Sequence, residues 1–274
     1  MSNPPSPYNR PSPYRPGQAR PGQPRPAQAN TAPLPAQKDL RAQFNLAPVP
    51  AAVTQIAGLV KGKETASMQE ITRIIKRDMA VTQRCMMTAY PKAEVREQVT
   101  LDMAATRLGL SRVISLIVAD LLQQAVVETF QTMVGLEMKS EDPAQMPTPA
   151  SGFIIGSVRF KGRATGDVLL AFPQSFGRFI AATLLGGSPT DKWQVGTLYD
   201  ALGELVNIVA GNLQSRLTDS GLTSEMGLPV VKEQSFVPTV TILGGTGDRF
   251  YYRSGEHHLG VNLCISPFSK DAAK

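Results

Sequence analysis

Histidine and cysteine are nearly missing from this chain. His257 and His258 are the only histidines, and Cys85 and Cys264 the only cysteines, in 274 residues. The histidines sit side by side near the C-terminal end with too few other ligands around them for a metal site, so a hairpin surface is their expected place. The cysteines are far apart in unlike contexts and are expected to be buried, reduced thiols rather than a disulfide. Long apolar runs are missing too. Val113 to Val127 is broken by Asp120, Gln123 and Gln124 and is too short to span a bilayer. Met1 to Asn30 lacks the apolar core of a signal peptide. Together these absences predict a cytoplasmic protein without membrane insertion.

Acid is absent from residues 1–38, which carry Arg10, Arg15, Arg20, Arg25 and Lys38. Those five charges account for most of the formal net charge of +6, so the rest of the chain is close to neutral and shows no basic surface suited to nucleic acid. The same segment holds half of the 22 prolines and a short tandem repeat, Arg15-Pro16-Gly17-Gln18, Arg20-Pro21-Gly22-Gln23 and Arg25-Pro26-Ala27-Gln28. Such a sequence buries too little apolar area to offset its ordering entropy, and it is expected to be a disordered tail.

From Phe44 to Val118 the spacing is helical. Ala52 to Val60 has one apolar stripe. Ser67 with Glu70 three residues later forms a capping box for a second helix. Asp78 to Met87 is a third, stopped by Pro91. Thr100 opens a fourth that runs to about Leu108, and Ser111 is expected to cap a fifth. With no histidine here, residues 39–118 cannot build a His/Asp metal site.

Beyond Gly135 the period changes. Gly152 to Phe160 and Gly166 to Phe172 read as strands, and Ser175 to Leu185 as a helix closed by Gly186-Gly187. Trp193 to Thr218 reads as a long helix with Gly221 as its stop. Leu228–Val231, Val237–Leu243, Arg249–Tyr252 and Gly260–Ile265 read as further strands. The fold class is α+β with an antiparallel sheet. Val261, Leu263 and Ile265 alternate with Asn262 and Cys264, and this last strand is expected to leave a sheet edge that needs a partner. Gly244-Gly245-Thr246-Gly247-Asp248 lacks the Lys-Ser/Thr and the helix of a phosphate loop and is expected to be a hairpin turn.

The long helix carries the most information. At about 100° per residue, Leu198, Leu202, Leu205, Val206, Val209, Leu213 and Leu217 gather on one apolar face. Asp200, Glu204, Asn207, Gly211 and Gln214 fall on the other. That face has carboxylates, a carboxamide and two glycines, Gly203 and Gly211, where long Lys and Arg chains are usual. Each helical glycine costs roughly 1 kcal/mol against alanine, so a bare, closely approachable docking face is the expected compensation.

The pattern Asp200, three residues, Glu204, two residues, Asn207, then Pro229 resembles the active-site signature of the CheC/CheX/FliY phosphatases. Val127 to Glu137 resembles the first helix of that family, and Ile155–Gly162 with Gly166–Leu170 its first hairpin. The resemblance spans roughly residues 120–266 and implies a phosphatase domain over 119–268. Its implied reaction is removal of phosphate from the aspartyl phosphate of a CheY-like receiver domain. Asn207 would orient the attacking water and Glu204 would pair with the receiver's active-site lysine. Asp200 and Gly211 would contribute to docking. The resemblance implies no cofactor of the chain's own, since Mg2+ comes with the receiver, and it implies a homodimer. A non-catalytic adaptor using the same face is the alternative. Some members carry the motif twice, and Gln124, Glu128 and Gln131 keep its spacing as a degenerate second copy. Residues 39–118 resemble the opening helices of HDOD domains through Ala47–Pro50, Ile75–Asp78 and Thr100–Leu110. The later helices of those domains are absent, which implies a binding or packing role without hydrolytic chemistry.

Overall fold

The computed structural model describes residues 51–60, 67–92, 98–142, 149, 151–237, 241–242 and 245–266. The Pro/Arg-rich segment 1–38 and the Ala47–Pro50 block lie outside them. Helices α1 (Ala51–Val60), α2 (Met68–Ile75), α3 (Met79–Ala89), α4 (Leu101–Leu108) and α5 (Leu110–Ile117) lead into α6 (Ala119–Met133). The local chemistry follows the sequence closely. Ser67 and Glu70 close a reciprocal capping box on α2, and Asp78 and Thr100 cap α3 and α4 through their side chains. The fifth helix departs from expectation. It starts after Gly109 with no side-chain cap, and Ser111 is buried inside it, where its carbonyl accepts from Ser115 Oγ.

Strands β1 (Lys139–Ser140), β2 (Phe153–Gly162) and β3 (Thr165–Pro173) precede α7 (Gln174–Leu185) and α8 (Val195–Asp219). Then come β4 (Ser224–Met226), β5 (Val230–Gln234), β6 (Thr241–Ile242), β7 (Gly245–Thr246), β8 (Asp248–Ser254) and β9 (His257–Ser266). Six of these form an antiparallel sheet in the order β1-β8-β9-β3-β2-β4, with β5 pairing the other end of β2. The β6–β7 pairing, Thr241 with Thr246 and Ile242 with Gly245, makes the Gly-rich segment part of a hairpin, as expected. The last strand, in contrast, is no edge. β9 pairs β8 on one side and β3 on the other, and Leu259 to Ile265 are all buried. Its alternation does not mark a wet face, because Asn262 and Cys264 also point into packed surroundings. The argument for dimerisation through a free β9 edge is therefore removed.

One continuous core joins the helices to the sheet. Ser115 Oγ also lies 3.0 Å from the Leu263 carbonyl, Arg112 pairs with buried Asp248, and Arg84 bridges the Leu116 carbonyl and Asp120. A smaller cluster of Phe153, Ile155, Leu169 and Ala171 lies apart, with Val237 packed on it. Cys85 and Cys264 are buried and not joined in a disulfide, and burial pushes the Cys85 thiol up to about 12, so it carries no thiolate character. Among the described residues, no single helix is long and apolar enough to cross a membrane. The bent pair α5–α6 has the length and composition, but Val113–Ala119 and much of α6 are buried in this core.

Candidate functional site

The long helix α8 is anchored by the residues its periodicity selects. Leu198, Leu202, Leu205, Val206, Val209, Leu213 and Leu217 are all buried, each contributing about 1.5–3 kcal/mol of hydrophobic stabilisation. Helix and sheet approach so closely that a Cβ at Gly156 of β2 would fall 2.5 Å from Val206. Before α8, Gly186 closes α7 in the left-handed conformation at φ 70°. After it, Gly221 at φ 90° ends the helical path. The helix is thus held along one whole side by the core, which makes its other side a rigid platform.

On that side Asp200 and Glu204 are exposed and Asn207 and Gly211 are half-buried. Glu204 and Asn207 are three residues apart, so they stand one above the other on one face. A carboxylate and a carboxamide so placed can accept a cation and orient a water. Neither group can act as a metal cage, and among the described residues no three His, Cys, Asp or Glu are grouped to hold a metal ion.

The two glycines have a structural partner within the chain. A Cβ at Gly203, which is buried, would meet Val231 at 3.5 Å and Pro229 at 3.7 Å; one at Gly211 would meet Met226 at 3.7 Å. Gln214 Nε2 donates to the Ser224 carbonyl at the far end. At the near end Tyr199 is hydrogen-bonded to Glu233, and burial together with that carboxylate raises the phenol above its usual range. The segment from Ser224 to Glu233 therefore runs antiparallel along one flank of the polar stripe, in step with residues 214, 211, 203 and 199. Pro229 belongs to this flank. The openness expected from the glycines is in part taken up by the chain itself: Gly203 admits β5 and is not part of a bare surface.

The second set with the same spacing has a different fate. Glu128 on α6 receives Arg216 Nη2 of α8, and Gln124 Oε1 accepts from Arg216 Nη1 at 3.0 Å. The Glu128 and Arg216 side chains are only 15% and 7% exposed. Beside them Asn212 donates to Thr129 Oγ1 at 2.9 Å. Gln131 alone of the three is exposed. Gln124 and Glu128 thus form part of the α6–α8 packing seam, and Arg216 is the partner that sequence spacing alone did not reveal.

His257 and His258 open β9 at the β8–β9 hairpin, as expected, paired with Ser254 and Arg253, but both are half-buried rather than freely exposed. The His257 ring stacks on Phe176 with centroids 4.7 Å apart and lies 4.5 Å from Phe179. Burial there lowers its pKa, opposed by Glu256 and assisted by His258. His258 Nδ1 lies 3.0 Å from Glu141 Oε2. Both are packing residues that tie β9 to α7 and to the segment after β1.

Comparison with known proteins bears on the same part of the chain. The family described as Chemotaxis phosphatase CheX matches residues 154–237. No curated protein matches. Among solved structures, chemotaxis protein CheX from Vibrio vulnificus is 21% identical, with 54% of this chain and 96% of that one covered and a TM-score of 0.47. A CheC-like superfamily protein from Shewanella sp. PV-4 is 20% identical over 54% and 97%, also with a TM-score of 0.47. The CheX–CheY–BeF3–Mg2+ complex from Borrelia burgdorferi gives 16% identity over 54% and 96%, with a TM-score of 0.43. Asp200, Glu204, Asn207, Gly211 and Pro229 all lie within the residues that match this family model.

Proposed function

We propose that this protein removes phosphate from the aspartyl phosphate of a CheY-like receiver domain. The observation that carries the reading is the pairing of Glu204 and Asn207 on an accessible face of a rigidly held helix. The CheX family match over the same residues supports it. An aspartyl phosphate is a reactive mixed anhydride, held with a magnesium ion by the receiver. The phosphatase need only place a water in line with phosphorus. Asn207 cannot take a proton as a base, but its carboxamide can hydrogen-bond that water and fix its approach. Glu204 would pair with a lysine of the receiver and hold the two proteins in register. Asp200 and Gly211 would lie at the docking surface on either side.

The helices α1–α5 lie outside the matched residues. Their lack of histidine and their shared core with the sheet support a packing or partner-binding role without chemistry of their own. The test is a dephosphorylation screen against the receiver domains of the same genome, with this protein substoichiometric to phosphorylated receiver. Many phosphates released per chain from at least one receiver is the expected result. Tight binding of a receiver with its phosphate lifetime unchanged would establish the adaptor reading instead.

A further inference from the structure

The flank of the polar stripe carries an apolar side chain that neither the motif nor the fold accounts for. Leu228 is 89% exposed, the most exposed of the large hydrophobic residues among those described, and Val230 is 58% exposed. Both neighbours of Leu228 are pinned. Gly227 N–H donates to the Arg159 carbonyl at 2.7 Å, and Pro229 packs over Gly203. The position of Leu228 along α8 follows from the contacts on either side of it. Met226 faces Gly211, and Pro229 and Val231 face Gly203. Asn207 is midway between those glycines, about 6 Å of helix from each at a rise of about 1.5 Å per residue. Leu228 falls between Met226, which faces Gly211, and Pro229, which faces Gly203, so it lies along the stretch of α8 that carries Asn207.

We infer that Leu228 is a docking and specificity-determining residue that packs against an apolar side chain of the receiver beside its phosphorylated aspartate. This rests on the phosphatase reading of the stripe. A leucine held out by a proline and a backbone hydrogen bond loses little further entropy on binding, and burying its exposed side chain against a partner contributes about 1.5–3 kcal/mol. Its place beside Asn207 continues the polar stripe and thus selects the receiver as occupant.

Three full-length variants test this: Leu228→Asp, Leu228→Met, and Met79→Asp, which alters another highly exposed apolar residue, on α3 (79% exposed). Each is assayed with receivers of the same genome phosphorylated by acetyl phosphate, and melting temperature and mass by light scattering are recorded. Leu228→Asp is expected to raise KM about tenfold or more, with kcat within about twofold and melting temperature unchanged. Leu228→Met should restore most of the affinity, and Met79→Asp should match wild type. An unchanged KM in Leu228→Asp, with wild type active, overturns the inference while leaving the phosphatase reading intact. So does a KM rise shared by Met79→Asp, or a fall in mass in Leu228→Asp, which would make Leu228 a contact between copies of this chain. Absence of turnover in wild type on every receiver would overturn both.

Discussion

Helices α6 and α8 carry acid and amide side chains at the same spacing, Gln124-Glu128-Gln131 against Asp200-Glu204-Asn207, yet only one set keeps its central carboxylate facing outward. Glu128 is drawn into the seam between the helices by Arg216, whereas Glu204 is exposed. Spacing alone does not make a site. It places groups on one face, and what packs against that face decides whether they act on a partner or hold the fold. Here one arginine on α8 turns the α6 set into a structural clamp, and the flank formed by Ser224–Glu233 leaves the α8 set open.

The sharpest break of the comparison comes from deleting each carboxylate in turn. Glu128→Ala leaves Arg216 as a buried charge without its carboxylate. It should cost ~3–5 kcal/mol and lower Tm on the order of 10 °C, with turnover per folded molecule unchanged. Thermal melts beside a dephosphorylation assay check this. Glu204→Ala should do the reverse. Its stability should stay within about 0.5 kcal/mol of wild type, as for an exposed side chain. Its KM for phosphorylated receiver should rise about tenfold, equivalent to ~1.4 kcal/mol. A melt as damaged as that of Glu128→Ala would erase the distinction between the helices.

A smaller effect acts on both helices through α7. Phe176 stacks on His257 and on Phe130 of α6, and a Cβ at Gly177 would meet Leu202 of α8 at 3.4 Å. Burial makes the charged form of His257 less favourable and lowers its pKa. As pH falls below the ordinary value of 6.5, the unfolded chain takes up a proton that the folded chain resists. Stability is therefore full above that value and declines as pH falls through it towards the lowered pKa of the folded state. His257→Phe should flatten this decline in melts between about pH 5 and 8.

Much of this was legible from local pattern. The buried face of α8, the Ser67–Glu70 capping box and the Gly186 helix end each depend on residues within one or two turns, and each stands where the sequence puts it. The rest depends on partners distant in sequence. Arg216 reaches back 88 residues to Glu128. His257 finds Phe176 only once β9 lies beside α7, and β9 is central because β8 and β3 flank it. The strand β4 is three largely polar residues with no period to read, yet its Met226, together with Pro229 and Val231, explains Gly203 and Gly211 better than a bare surface does.

The most direct measurement compares Asn207→Ala with Gln131→Ala in one assay of phosphate release from excess phosphorylated receiver. These are the equivalent positions of the two sets, and both side chains are accessible to solvent. Loss of the water-orienting amide should lower kcat about a hundredfold, while Gln131→Ala should match wild type. Equal loss in both variants, or an undiminished rate in Asn207→Ala, would contradict the assignment of the active face to α8.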